Sequence, residues 1–307
     1  MITNSGEVLI GVCAHESERT IARTIESVLN QRYINWKMHI VVSDSSDNTL
    51  SICREFNDPR IRIDVKNRTQ TWAESSLEIL EQSNSEYFMW LDADDLITED
   101  WLEENITNIR IQSSDSSFGQ VLLSNDGGKT FLNNISNCRN YKFANRDLSS
   151  IRVLTYILLP ESYGAVNLLY SVWKTQTLKR LVTWEKSEAS LDFDTKFILN
   201  ALNSGRLATL EETYIIRENS GFNNLSLLQN LAYFSQRGKL SEMRLLLWQL
   251  LVTKPRAGRY FWLMLTKFPS KMLLVIPAIL LRLILSAGSP LLITIKLRLR
   301  SKFDIAQ

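Results

Sequence analysis

Apolar residues over the first hundred positions follow two rhythms. Residues 7–12 (EVLIGV), 38–42 (MHIVV) and 87–91 (YFMWL) are largely apolar runs of strand length, rich in β-branched or aromatic side chains. Residues 61–65 (IRIDV) alternate, as a strand with one wet face does. Between these runs Ile21, Ile25, Val28 and Leu29 recur at helical spacing, and Thr20 is placed to cap that helix. The turn-forming SDSSDNT leads into a second helix over 50–56. A third is predicted over 74–82, on Leu77, Ile79 and Leu80, and a fourth from 99 to 111. Strand and helix in alternation mean crossover connections and a mainly parallel α/β sheet flanked by helices. In such sheets ligands sit at the carboxyl ends of the strands. Three of these strands end in polar or acidic residues: His15 and Glu16, then Asp44 and Asp47, then Asp92, Asp94 and Asp95.

Beyond residue 113 the pattern thins. Strands are predicted over 120–124 and 128–132, a helix over 151–159, and a strand entering a turn over 165–173. A helix over 193–203 is closed by Gly205 as its C-terminal cap, and strands follow over 206–210 and 213–217. Residues 223–253 carry two Leu-rich faces around Arg237-Gly238 and read as a helix pair. Next, Tyr260, Phe261 and Trp262 are flanked by Arg256, Arg259 and Lys267, the pairing of an interfacial anchor. The apolar run 272–287 contains Pro277 and Arg282 and falls short of the roughly 20 residues a full crossing needs. A monotopic or re-entrant helix fits it better than a span.

Charge sharpens that division. The net charge of the 307 residues is only +2. Residues 1–242 hold 24 basic and 32 acidic side chains, 24 − 32 = −8, whereas residues 243–307 hold 11 and 1, 11 − 1 = +10. An acidic body thus precedes a basic and apolar tail; the domain division is placed at 1–220 and 221–307, so that the helix pair falls with the tail as one helical, membrane-associating region. Basic residues interleaved with Leu and Ile suit an anionic membrane surface and not a nucleic acid, whose readers carry polar and stacking groups. A helical partner-binding or dimerisation element is the competing reading of that region. Three dispersed cysteines (Cys13, Cys53, Cys138) give no disulfide framework and no zinc signature, and with two histidines a His-based metal site is excluded. Any metal must lean on carboxylates, which favours Mg or Mn.

Asp92-Ala93-Asp94-Asp95 supplies such carboxylates at the end of a buried strand. Three acids in four residues repel one another, and burial adds to the cost. A divalent cation bound with a phosphate-bearing substrate relieves both, and would offset charge on a leaving diphosphate. The same acids also suit the N-terminus of the helix that follows.

The windows EVLIGVCAHESERTIARTIESVLNQRY, HIVVSDSSDNT and SEYFMWLDADDLITEDWLEE together resemble the family 2 nucleotide-sugar glycosyltransferases of GT-A fold. The order, spacing and strand context of all three agree, and the likeness extends to about residue 220. The resemblance implies an inverting enzyme that binds a nucleotide-diphosphate sugar at the carboxyl edge of the sheet. It implies that Asp44 holds the nucleotide base, that Asp92 and Asp94 form the DxD motif, and that Asp94 with Asp95 lies nearest the metal and the diphosphate. Cys13, His15 and Glu16 fall where the family contacts the nucleoside, although Cys-Ala-His-Glu departs from its usual Pro-x-Tyr-Asn. The Asp44 turn is one residue shorter than the family's and lacks its Gly, and Arg68 stands in a changed segment that faces a phosphate. In SLDFDTKFILNALNSGRLATL, Asp192 falls at the family's catalytic base, with Leu191 in place of the preceding Glu and a second acid, Asp194, after it; an N-cap for the helix that follows is the competing reading, and one residue can serve as both. Arg217 corresponds to the basic residue that faces the diphosphate, and an exposed surface Arg is the competing reading.

These features predict a metal-dependent transferase at the cytoplasmic face of the plasma membrane. It would move a sugar to a glycan acceptor, lipid-linked by expectation, in surface polysaccharide synthesis. The alternative is a non-catalytic interaction protein of a polysaccharide-assembly complex that has kept the fold.

Overall fold

Strand β1 (Val8–Ala14) is the centre of the first half of the sheet, and its register explains where the site lies. It pairs in parallel with β2 (Trp36–Ser43) on one side and β4 (Tyr87–Asp92) on the other. Ala14 is level with Val42, and Cys13 with Asp92, so the carboxyl ends of all three strands fall on one edge. β3 (Ile61–Lys66) pairs in parallel with β2 and closes that side. The computed structural model describes residues 6–68, 70–131, 141–149, 151–152, 167–182 and 193–218. All of these except 151–152 belong to one compact unit.

Burial follows the apolar pattern. Val8, Ile10 and Val12 of β1 and Phe88–Leu91 of β4 are buried, as strands covered on both faces must be. The edge strand β3 departs from the alternation its sequence predicts: none of its residues is buried, and Val65 is exposed while Asp64, held by His39 and Arg62, is half-buried. Helix α1 (Ile21–Leu29) buries Ile21, Thr24, Ile25 and Val28; Thr20 precedes it but makes no side-chain cap bond, its hydroxyl donating to the Ser17 carbonyl. Helix α2 (Thr49–Glu55) follows β2. Helix α3 (Trp72–Gln82) begins two residues before the apolar pattern does, because Thr71 and Glu74 form a reciprocal capping box. That early start brings Trp72 onto the helix.

The second half is mixed. After β5 (Leu96–Ile97) and α4 (Trp101–Ile111) comes β6 (Ser116–Ser124). β7 (Val172–Lys174) joins β4 to β6, antiparallel to both, and leads into α5 (Thr175–Val182), a helix that the sequence pattern does not announce. Helix α6 (Phe193–Ser204) precedes β8 (Leu207–Glu218), which runs parallel to β6 and antiparallel to β5. The whole order is β3-β2-β1-β4-β7-β6-β8-β5.

Three expectations change here. Residues 206–217 form one strand with a bulge and not two: register slips between Phe118 and Gln120, and the Gln120 amide donates to the Leu210 carbonyl across the gap. Gly119 fits there because a Cβ would meet the Thr213 carbonyl at 2.3 Å. Residues 128–131 are not a strand. Ser124 and Asp126 accept the backbone N–H groups of Gly128 and Thr130 and fold the chain into a turn. Residues 167–170, predicted as strand, form a short 3-10 turn before β7. Gly205 does follow α6, with its N–H on the Ala201 carbonyl. Its use is close approach, since a Cβ would lie 2.8 Å from that oxygen. The predicted helices over 151–159 and 223–253 and the apolar run 272–287 lie, almost entirely, outside the described residues.

Aromatic rings join the halves. Trp90 of β4 meets Phe193 and Phe197 of α6 edge-on, and Phe197 meets Trp173 of β7. Trp72 packs against both Trp90 and Phe193 at 5.8 Å.

Candidate active site

A cleft of about 810 Å³ opens at the carboxyl edge of the sheet, lined by residues 13–20 after β1, Ser43 and Asp47 after β2, Trp72 and Ser75 of α3, and Asp92–Asp94 after β4. The loops that form it hold one another. Asp47 accepts the N–H of Glu18 and, from Thr49, both the backbone N–H and the hydroxyl, which keeps its carboxyl below the usual range. The Glu16 carboxylate accepts the backbone N–H and hydroxyl of Ser46. Glu16 and Asp44, each just past a strand end, both take left-handed backbone angles (φ 51° and 40°). Asp tolerates that region better than most residues.

The predicted nucleotide residues divide between wall and rim. His15 is exposed on the cleft wall, and its Nδ1–H donates to the Ser43 carbonyl at 2.7 Å. A carbonyl only accepts, so the neutral ring presents Nε2 as an acceptor. Cys13 is also on the wall, but its thiol lies against Ser76 and the Trp72 carbonyl, and burial pushes it up to about 12. It is an inert packing group at neutral pH. Asp44 is exposed, with its backbone N–H bonded to the Lys66 carbonyl, and is not among the lining residues. Arg68 is exposed, pairs with Glu74 at 3.5 Å and does not line the cleft. Asp192 lies outside the described residues. Its neighbour Phe193 packs on Trp72, so α6 starts beside the acidic wall.

The three acids have three environments. Asp92 Oδ1 accepts the Trp72 indole N–H at 3.0 Å, and Oδ2 accepts the Tyr170 hydroxyl and Arg217 Nη2. Asp95 is 1% exposed, and its Oδ2 lies 2.8 Å from Arg217 Nε in an ion pair without hydrogen-bond alignment. Burial drives the Asp95 carboxyl well up, against the pull of Arg217. Asp94 faces the cleft, and no ion pair with a described residue reaches it. Burial and the neighbouring Asp92 raise its carboxyl. Arg217, expected at the diphosphate, is turned inward, and Asp95, expected beside Asp94 as a metal ligand, is turned to Arg217.

Carboxylate oxygens of Asp92, Asp94 and Asp95 lie within 4.8 Å of one another. Such an all-oxygen donor set fits a hard divalent cation, and a cation there would relieve the burial and the Asp92 repulsion that raise the Asp94 carboxyl. The residues therefore fit Mg or Mn, with Asp94 and Asp92 as the accessible holders.

Trp72, Tyr170 and Asn167 are absent from the sequence expectations. Thr71-x-x-Glu74 is the signal that would have placed Trp72 at the start of α3. Nothing local marks Tyr170 or Asn167, whose partners are 78 and 50 residues away in sequence.

Residues 9–158 match the family described as Glycosyl transferase family 2. A glucosyltransferase of Escherichia coli, the UDP-Glc:alpha-D-GlcNAc-diphosphoundecaprenol beta-1,3-glucosyltransferase WfgD, is 33% identical over 94 residues, covering 31% of this chain and 37% of that protein. The putative glycosyltransferase EpsE of Bacillus subtilis is 33% identical over 110 residues, 34% of this chain and 38% of the relative. The chain thus spans little more than a third of the curated relatives it matches. Among solved structures, residues 1–349 of TarS from S. aureus in complex with UDP-GlcNAc superpose with a TM-score of 0.53 at 15% identity, over 82% of this chain and 69% of that one. Without that ligand the TM-score is 0.52, over 68% and 60%. The sheet has the GT-A fold, and residues 9–158 are similar to glycosyl transferase family 2, which supports a family 2 glycosyltransferase.

Proposed function

We propose that this chain is an inverting glycosyltransferase that moves a sugar from a nucleotide-diphosphate donor to a glycan acceptor carried on a lipid. The observation that carries the reading is the cleft itself: Asp94 faces it at the carboxyl edge of the sheet, with Asp92 fixed beside it by Trp72. A UDP-sugar donor is supported by the UDP-GlcNAc complex of TarS, and a diphospholipid-linked acceptor by the printed activity of WfgD. In this reading His15 and the loop after β2, with Cys13, Glu16 and Asp44, border the nucleoside, and Arg68 stands at the rim. Asp94 and Asp92 would hold Mg or Mn, which when bound supplies charge to offset the leaving diphosphate. Trp72 and Tyr170 keep the Asp92 carboxylate from turning away. Asp192, one residue before α6, takes the proton from the acceptor hydroxyl as that oxygen attacks the anomeric carbon. Residues 221–307 form a membrane-associating region that holds the body at the cytoplasmic face of the plasma membrane, where a lipid-linked acceptor gains effective concentration.

A donor screen by thermal shift in Mn²⁺ tests the donor class: a UDP-sugar should raise the melting temperature, and indifference to every nucleotide sugar refutes the reading. Asp192→Asn should keep donor binding and lose transfer; unaltered turnover sinks the base assignment. Removal of the residues after about 255 should shift the protein from membranes to the soluble fraction. An unchanged partition refutes the anchor.

A further inference from the structure

At the end of β8 the Arg217 side chain is 11% exposed, and all three of its nitrogens are engaged. Nε faces Asp95 Oδ2 at 2.8 Å, Nη2 donates to Asp92 Oδ2 at 3.0 Å, and Nη1 donates to Asn167 Oδ1 at 2.7 Å. The guanidinium also lies over the Tyr170 ring, 4.6 Å from its centre. Asn167 is itself 5% exposed and cannot flip, because its Nδ2 donates to the Tyr141 hydroxyl at 2.7 Å. Turning Arg217 toward the cleft would break these bonds together and leave the buried Asp95 and the half-buried Asp92 without their cation.

The fork therefore divides the acidic run. It covers one oxygen each of Asp92 and Asp95 and leaves Asp94 as the member of that run that faces the cleft with no ion-pair partner among the described residues. We infer that Arg217 is a resident counter-cation that keeps the acidic motif from retaining a divalent cation by itself, so that the cation is held firmly only together with the donor's diphosphate. The inference rests on the nucleotide-diphosphate reading above. Its physical basis is simple. A fixed positive charge repels the cation and occupies Asp92 Oδ2, which would otherwise be a ligand. The diphosphate oxygens restore both the ligands and the negative charge that Arg217 removes.

The test is calorimetric titration of MnCl2 into the full-length chain without nucleotide, then with saturating UDP. Arg217→Gln should tighten Mn²⁺ binding in the absence of UDP by about tenfold or more. UDP should improve Mn²⁺ affinity strongly in the wild type and several times less in this variant. Mn²⁺ should also raise the melting temperature of the variant more than that of the wild type. Should Arg217→Gln fail to fold, the double variant Arg217→Gln/Asp95→Asn removes both members of the buried pair together. It should still bind Mn²⁺ more tightly than the wild type, by about threefold, through Asp92 Oδ2, which then keeps only the Tyr170 hydroxyl. Unchanged or weaker Mn²⁺ binding in a folded variant overturns the inference. If the wild type binds no UDP in Mn²⁺ while Arg217→Gln still tightens Mn²⁺, the donor reading falls and Arg217 stands as counter-cation.

Discussion

Strands β1–β4 and strands β5–β8 share one sheet and contribute opposite charges to the same site. The first four are parallel, with helices α1 and α2 and the start of α3 packed after them, and their carboxyl ends display Glu16, Asp47, Asp92 and Asp94 along the cleft. The second group pairs in both directions, carries a bulge, and sends Arg217, Tyr170 and Asn167 in behind the acids. One half exposes carboxylates, and the other half restrains them. A strand-end acid is therefore not enough to make a ligand: Asp94 and Asp95 are adjacent in sequence, yet one faces the cleft and the other is 1% exposed against Arg217. What separates them is the ion pair that the distant strand β8 supplies.

The comparison can be broken first at the aromatic seam. Trp90 is fully buried between β4 and α6. Trp90→Ala should cost about 3–5 kcal/mol in urea denaturation. It should also lower both halves in a single transition. Two separate transitions would show that the halves fold independently. Next in size is the indole that ties α3 to the acidic wall. Trp72→Phe keeps the ring packing and removes only the N–H on Asp92, so stability should fall by about 1 kcal/mol. Transfer should slow by about tenfold as the Asp92 carboxylate loses its fixed direction. Full activity would show that Tyr170 and Arg217 suffice to orient it. The smallest effect concerns the thiols of the first half. Burial raises Cys13 to about 12 and Cys53 to about 11, so neither thiolate is populated at pH 8. A thiol reagent at that pH should leave both unlabelled in the native protein, and label on Cys13 by mass spectrometry would show that the wall beneath Trp72 opens.

The same contrast explains what could be read from the chain. Strands β1, β2 and β4 have apolar runs bounded by turn residues, and their neighbours are fixed by short crossovers, so the acidic edge follows from local pattern and topology alone. Helix α3 is off by two residues because a polar capping box, not an apolar period, sets its start. In the second half the deciding contacts are long-range. The bulge at Gly119 depends on the Thr213 carbonyl, and the turn at 125–130 on Asp126, and neither leaves an apolar signature. Asp92 and Asp94 were legible as site residues because three carboxylates in four positions are conspicuous in any chain. Arg217 was legible as a basic residue at a strand end but not in its direction, which is set by Asp95 and Asn167.

The central claim is that a cation on Asp94 joins this cleft to a nucleotide-diphosphate sugar. Calorimetric titration of UDP-Glc and UDP-GlcNAc into wild type and Asp94→Asn, each with and without Mn²⁺, tests it most directly. The account predicts Mn²⁺-dependent binding of at least one donor to the wild type and about a hundredfold weaker binding to Asp94→Asn, with the fold unchanged by circular dichroism. Equal affinity in the two proteins, or binding that ignores Mn²⁺, would contradict it.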